Sequence, residues 1–394
     1  MKNLLIIVVF CSLTAAAQQI VPLSERAEIS VITCGPSQRE LYTAFGHSAF
    51  RVKDPIIGID LAYNYGVFDF NQPNFYLNFA KGFLYYRLGV EDFDEFVYPY
   101  IYFNRSVREQ VLDLSKEQKQ KIFEYLQTNA RPENQQYRYD YFYNNCATKI
   151  RDVIVDALGE NTVHFDGAYI KTEYSIRELT DLYLTEQPWG DLGIDICLGL
   201  PMDKTATPYE YMFLPDYVES GFSHATVDNG KGSLTPIVKQ QLVINEVREM
   251  DSENSLPHPL IFLGALGALA IGLSIFDLRR KKISIWFDIT FFAVCGAIGL
   301  LLFFLWFFTD HNAAARNLNL LWAFPLHFIA AIAIPSRAAL LRKYFGFSFL
   351  LHLMLLISWP VLPQLLHYAL IPIVIALIAR SYVNYKLRGA TKYS

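Results

Sequence analysis

Cys146 stands in a setting that makes a thiol reactive. It follows Asn144-Asn145, both good capping residues, and opens a run that is apolar at Ile150, Val153, Ile154, Ala157 and Leu158 and stops at Gly159. That spacing predicts a helix over Ala147–Leu158, and a thiolate at its start faces unpaired backbone N–H groups and the positive end of the helix dipole, which lowers its pKa. The plain alternative is a small buried hydrophobe. A thiol nucleophile needs a base. His164 and His224 lie in polar, loop-like stretches, whereas His47 follows Gly46 and begins the strand pattern HSAFRV. Alternation puts His47, Ala49 and Arg51 on one face of that strand. The next strand offers Asp60, Ala62 and Asn64 on one face, so either the Asn64 amide or the Asp60 carboxylate can orient the second ring nitrogen.

Competing chemistries have weaker support. Gly46-His47-Ser48-Ala49-Phe50 resembles a G-x-S-x-G elbow, but Phe50 replaces the second glycine, which demotes Ser48 as a nucleophile. No HExxH, CxxC pair or glycine-rich phosphate loop occurs, so neither a metal nor a cofactor is expected.

The elements that must hold these groups form an α+β domain rather than a βαβ array. Ile29–Thr33, His47–Val52 and Ile59–Tyr65 read as strands, the last two as a hairpin across Asp54-Pro55 and Gly58. Ser115–Thr128 reads as a helix capped by Ser115 with Gln118 three residues on.

Charge divides the chain of 394 residues in two. Residues 258–394 carry twelve Lys and Arg against three Asp, while residues 18–257 carry twenty-one against thirty-five Asp and Glu. This excludes a single soluble domain, and the acidic body has no basic patch for nucleic acid. Residues 1–17 have the form of a secretory signal: a basic start, an apolar core from Leu4, and Ala15-Ala16-Ala17 before Gln18. The exported body is then 18–257, with a polar connecting arm over 228–257. Five membrane spans are expected near 259–276, 283–308, 318–335, 345–361 and 364–380, with a re-entrant hairpin as the alternative for the last two. With the C-terminus cytoplasmic, eleven of the twelve basic residues fall inside and only Arg316 outside. The exported body keeps Cys34, Cys146 and Cys197, an odd number for an oxidising compartment, so Cys34 and Cys197 are the pair expected to form a disulfide.

The stretches TCGPSQRELYTAFGHSAFRV, DLAYNYGVFDF and YDYFYNNCATKIRD, with DLGIDICLGLPMDK, YEYMFLPDYV and TDHNAAARNLNLLWAFPL further on, resemble the Lnb-type lipoprotein N-acyltransferases over about residues 29–335. The resemblance implies a permuted papain-like (NlpC-like) exported domain, in which the His precedes the Cys in sequence, followed by an all-α five-helix transmembrane domain. It implies Cys146 as nucleophile and His47 as base, with Asn64 as the third member and Asp60 still open. Asn145, Tyr63, Tyr65, Lys81 and His311 are expected at the substrate, and Asp310 and Asn317 share the exposed loop with His311. The implied partners are a phospholipid acyl donor and a diacylglyceryl lipoprotein acceptor in the inner (cytoplasmic) membrane, with the catalytic domain periplasmic. A membrane-anchored cell-wall cysteine peptidase and a non-enzymatic membrane receptor are the rival readings.

Overall fold

The computed structural model describes residues 21–69, 71–228, 233–247, 256–336 and 338–390. The expected signal segment, 1–17, lies outside the described residues.

An antiparallel sheet of seven strands organises the first domain. Its strands are β1 (Glu28–Cys34), β2 (His47–Asp54), β3 (Ile59–Val67), β4 (Leu84–Asp92), β5 (Val107–Leu112), β6 (Gln136–Tyr139) and, closing one edge, β10 (Val238–Asn245), in the order β10-β5-β1-β2-β3-β4-β6. Three short strands, β7 (Val163–His164), β8 (Thr226–Asp228) and β9 (Leu234–Pro236), form a second sheet. The stretch expected as a polar arm over 228–257 therefore supplies β9 and β10. The correction has a physical reason: β10 is an edge strand with Lys239, Gln240 and Gln241 in water, and so lacks the alternation that marks a half-buried strand.

Helices cover both faces. α3 (Lys116–Asn129) starts with Ser115 accepting from Gln118 N, and α4 (Cys146–Leu158) follows the Asn145 cap. Both pack on the face carrying Val31, Phe50, Val52, Tyr63 and Tyr65. α1 (Phe75–Lys81) precedes β4, and α2 (Phe93–Tyr102) covers the other face, where Ile32, Cys34, Ala49 and Ala62 meet Phe93 and Phe96. The remaining helices of this domain are α5 (Ile176–Leu182), α6 (Pro188–Cys197), α7 (Pro208–Tyr211) and α8 (Pro215–His224).

The second domain is helical: α9 (Pro259–Arg280), α10 (Ile285–Phe308), α11 (Leu326–Ala333), α12 (Ala339–Ser358) and α13 (Ile371–Ala390). Among the described residues, four helical segments are long and apolar enough to cross a membrane: Pro259–Arg280, Ile285–Phe308, Ala339–Val361 and Tyr368–Arg388. The last two are full-length helices rather than the short pair expected. The third expected span, 318–335, is instead a 3-10 turn over Leu318–Leu321 followed by the eight-residue α11, with Pro325 at its start. Its backbone lies hard against α10, since a Cβ on Gly299 would sit 1.8 Å from the Ala323 carbonyl oxygen.

The two domains are joined by polar contacts as well as by chain. Gly199 N–H donates to the Ala313 carbonyl (2.7 Å), Asn317 Nδ2 to the Ile196 carbonyl (2.8 Å) and Gln364 Nε2 to the Leu198 carbonyl (3.0 Å). A Cβ at Gly199 would lie 1.9 Å from the Ala315 oxygen, whereas one at Gly193, in the same segment, meets nothing within 4 Å. Gly199→Ala is therefore expected to lower the apparent melting temperature of the purified protein, at a cost of about 1–3 kcal/mol. Gly193→Ala, inside α6, leaves it unchanged or raises it slightly. Differential scanning fluorimetry of both variants checks this.

Candidate active site

Asn145 fixes the start of α4. Its Oδ1 accepts from the N–H groups of Ala147 and Thr148, both at 2.9 Å, and its Nδ2 donates to the carbonyls of Tyr141 and Phe213, both at 2.8 Å. All its side-chain polar atoms are thus taken, and it is buried. Asn145 positions the next residue rather than meeting substrate.

That next residue, Cys146, reaches past the end of β3. Gly66 has φ +94°, and a Cβ there would lie 3.4 Å from Cys146 Cβ and 3.9 Å from His47 Cε1. A side chain at this position would be both strained and wedged between the two groups. Gly46, just before His47, is constrained in the same way: φ is +82° and a Cβ would sit 2.8 Å from the Cys34 carbonyl oxygen.

The Cys146 thiol and the His47 ring hydrogen-bond one another. His47 Nε2 donates to Asn64 Oδ1 at 2.7 Å, which leaves the other ring nitrogen for the thiol. Asn64 Nδ2 in turn donates to Glu91 (3.3 Å), and the imidazole stacks on the Tyr100 ring at 6.3 Å. Asp60 is excluded as the orienting group because it pairs with Arg51 at 2.6 Å. The facing of His47 and Asn64 follows from strand alternation across the β2–β3 pair.

Burial raises the Cys146 thiol, but the His47 charge, the His47 hydrogen bond and the N–H groups of Ser48 and Ala147 outweigh it and hold the thiol below its ordinary value. Burial pushes His47 down, yet the Cys146 charge and the hydrogen bonds to Cys146 and Asn64 carry it above its ordinary value. The two shifts agree in sense: each moves its group towards the charged form, thiolate for Cys146 and imidazolium for His47. Beside them, Tyr139 stacks on Tyr86 at 4.2 Å, and burial with the neighbouring Cys146 pushes its hydroxyl well up, so it remains protonated.

Other expected site residues lie elsewhere. Tyr63 and Tyr65 are corrected: they point into the core on the opposite face, where their hydroxyls accept from Gln127 and Asn129. Ser48 presents its backbone to the sulfur while its hydroxyl is buried without a partner. His224 is exposed, its Nδ1 on the Ser220 carbonyl, and His164 is exposed on β7. Lys81 and His311 come together at the domain junction, where Asp310 N–H donates to the Lys81 carbonyl (2.9 Å) and His311 Nε2 to the Phe79 carbonyl (3.1 Å). Asn317 is buried in the joint between the domains.

The expected disulfide is also corrected, because Cys34, Cys146, Cys197 and Cys295 are all free thiols. Cys34 ends β1 in direct register with His47, buried beside Tyr100, and burial pushes it up to about 12. Cys197 ends α6 and packs against the membrane helices. Cys34 was read only as half of a disulfide, and Tyr100 and Tyr139 went unread in the sequence. Strand register could have found the first, and the aromatic run before Cys146 was the signal for the last.

Two measurements follow. Peptide mapping under non-reducing conditions is expected to recover Cys34 and Cys197 as alkylated thiols, with no cross-linked peptide. The rate of Cys146 alkylation by iodoacetamide tracks the thiolate, so in the wild type it persists to lower pH than for an ordinary thiol. His47→Ala removes the cation while burial remains, and the profile moves to higher pH. An unmoved profile would contradict the ion pair.

Family models match both halves of the chain. The Lnb N-terminal periplasmic domain matches residues 23–184, which include His47, Asn64 and Cys146, and the Lnb transmembrane domain matches residues 251–392. Among curated proteins and solved structures, nothing matches. With both domains of one family matched in order, the chain belongs to the Lnb family: a periplasmic α+β domain followed by a multi-pass helical membrane domain.

Proposed function

We propose that this protein is a lipoprotein N-acyltransferase working through a Cys146 thioester. The observation that carries the reading is the juxtaposition of Cys146, His47 and Asn64, with thiol and imidazole each shifted towards its charged form, on a domain hydrogen-bonded to a multi-pass membrane domain. The thiolate attacks the ester carbonyl of a phospholipid. The resulting oxyanion is met by the backbone N–H of Cys146, at the start of α4. His47, as imidazolium, gives its proton to the departing lysophospholipid alkoxide, and the acyl group stays on sulfur. The free α-amino group of a diacylglyceryl-cysteine lipoprotein then attacks the thioester carbonyl, His47 takes the proton from that nitrogen, and the thiolate leaves. Asn64 holds the ring in the tautomer and orientation that both half-reactions need. No metal or cofactor has a part in these steps.

We assign the permuted papain-like arrangement on the same basis, since the base-bearing strand β2 precedes the nucleophile-bearing helix α4. In the membrane domain, Leu318–Ala333 acts as a short third pass. Two contacts support five passes with the C-terminus cytoplasmic. Arg380 binds Asp277 and Asp288, joining the ends of α9 and α10 to α13, and Arg388 donates to the carbonyls of Ile334 and Ser336. The opposite ends, at Pro257, Asp310 and Gln364, all contact the exported domain, through Trp189, Arg138 and the Leu198 carbonyl. On this reading the protein sits in the inner membrane, with its periplasmic domain at the outer leaflet.

Cells carrying Cys146→Ala or Cys146→Ser as the sole copy are expected to accumulate lipoproteins with a free N-terminus, read by mass spectrometry of the lipidated peptides. A serine hydroxyl fits the site but is too weak an acid for the helix end and His47 to ionise near neutral pH. His47→Ala is expected to lower purified activity by on the order of 10²–10⁴. Unchanged N-acylation in the Cys146→Ala strain would leave a receptor role ahead, and an intact lipoprotein profile with altered cell-wall peptides would favour the peptidase.

A further inference from the structure

We propose that α1 is an interfacial helix whose Tyr76, Leu77 and Phe79 lie in the lipid of the leaflet that α10 leaves at Phe308, and that from this surface a phospholipid acyl chain reaches Cys146. The second half rests on the acyl-transfer reading, while the first stands without it.

α1 is an unusual segment to leave in water. Phe75 faces inward, but Tyr76 is 76%, Leu77 53% and Phe79 42% exposed, on a helix of seven residues. The depth of the helix is set by its attachments. Asp310 lies two residues beyond the end of α10, and its N–H donates to the Lys81 carbonyl at 2.9 Å. The Asp310 carboxylate pairs with Arg138 at 2.5 Å, and His311 Nε2 donates to the Phe79 carbonyl at 3.1 Å. At Gly82 (φ +81°) a Cβ would come 3.0 Å from the Asp310 carbonyl carbon, so the end of α1 lies flat on this loop. The last turns of α10 present Phe304, Phe307 and Phe308 outward, 43%, 55% and 66% exposed. The apolar face of α1 therefore continues the lipid-facing surface of a membrane span. Aromatic rings at this level and a cation at the helix end, Lys81, are what a headgroup layer accepts.

The chain then leads from this surface to the thiol. β4 begins three residues after α1, and Tyr86 on it stacks on Tyr139 at 4.2 Å. The Tyr139 ring edge would lie 3.7 Å from a Cβ at Gly66, where Cys146 Cβ would lie at 3.4 Å. The chain turns at Gly82 (φ +81°), so Lys81 and Tyr86 lie closer than the roughly 17 Å of a fully extended segment, and the Tyr86 and Tyr139 rings stand between α1 and the nucleophile.

The test uses the full-length protein in nanodiscs of phosphatidylethanolamine and phosphatidylglycerol. The photoreactive residue p-benzoylphenylalanine is placed at Tyr76, with Phe304 as the lipid-facing reference, both in the Cys146→Ala background so that no chemistry is needed. Mass spectrometry is expected to find phospholipid adducts at both positions. Adducts at Phe304 and none at Tyr76 would overturn the seat of the helix. In the protein with Cys146 intact, Tyr76→Ser, Leu77→Ser and Phe79→Ser combined are expected to raise KM for the phospholipid about tenfold with little change in kcat, the pattern of lost binding. An unchanged KM would overturn delivery along α1. A wild-type protein that never acylates Cys146 would instead count against the acyl-transfer reading, and the photoadducts would still decide where α1 sits.

Discussion

Everything at the site depends on how the partly buried Cys146 and His47 stabilise one another's charged forms. Taken singly, neither the Cys146 thiolate nor the His47 imidazolium is stable out of water, because burial drives each towards its neutral form. Together each supplies the charge that the other lacks. A pair of this kind is only as good as its geometry, since a small separation restores the desolvation cost without the attraction. The surrounding structure is accordingly rigid where it matters. Asn145 spends all its side-chain polar atoms on the start of α4, Gly66 has no side chain to come between the partners, and Asn64 anchors the far side of the ring.

A second constraint fixes where this pair sits relative to the bilayer. Arg177, fully buried, binds Asp195 and Asp203 and donates to the carbonyls of Leu198 and Gly199. That single guanidinium holds the segment from α6 through Asp203 in shape. The same segment offers its backbone to Asn317, Asn319 and Gln364 of the membrane domain, and Asp203 accepts from Leu365 N–H. The joint combines these hydrogen bonds with apolar packing of Leu192 and Ile196 against the membrane domain, which favours one orientation of the periplasmic domain over a loose tether. For a thiol that takes acyl chains from a lipid, on the reading proposed, a fixed height above the leaflet is part of the active site.

Much of this was legible in the residues. The Asn144-Asn145 cap and the Gly159 stop bounded α4 to within a residue, and alternation grouped His47 with Arg51 and Asn64 with Asp60, two sets that the β2–β3 register brings to the same side of the sheet. The same alternation places Tyr63 and Tyr65 on the opposite face, so their burial in the core was open to the same argument. Other features depend on long-range pairing that no local pattern encodes. Cys34 lies opposite His47 only through the β1–β2 register, and β10 adds to the sheet as a solvated edge. The odd cysteine count suggested a disulfide, but counting cannot say that one thiol ends a central strand while the other abuts membrane helices. The stretch 318–335, expected as a full-length span, is broken into a 3-10 turn and the short α11, and no length rule shows that Gly296 and Gly299 let its backbone bury against α10.

The most direct measurement is of the covalent intermediate. Purified protein incubated with a phospholipid carrying a tagged acyl chain, without acceptor, should acquire the tag on the Cys146 peptide, and neutral hydroxylamine should release it. A tag that resists hydroxylamine, or that appears equally on the Cys146→Ala protein, would contradict a thioester at Cys146 and with it the account of this site.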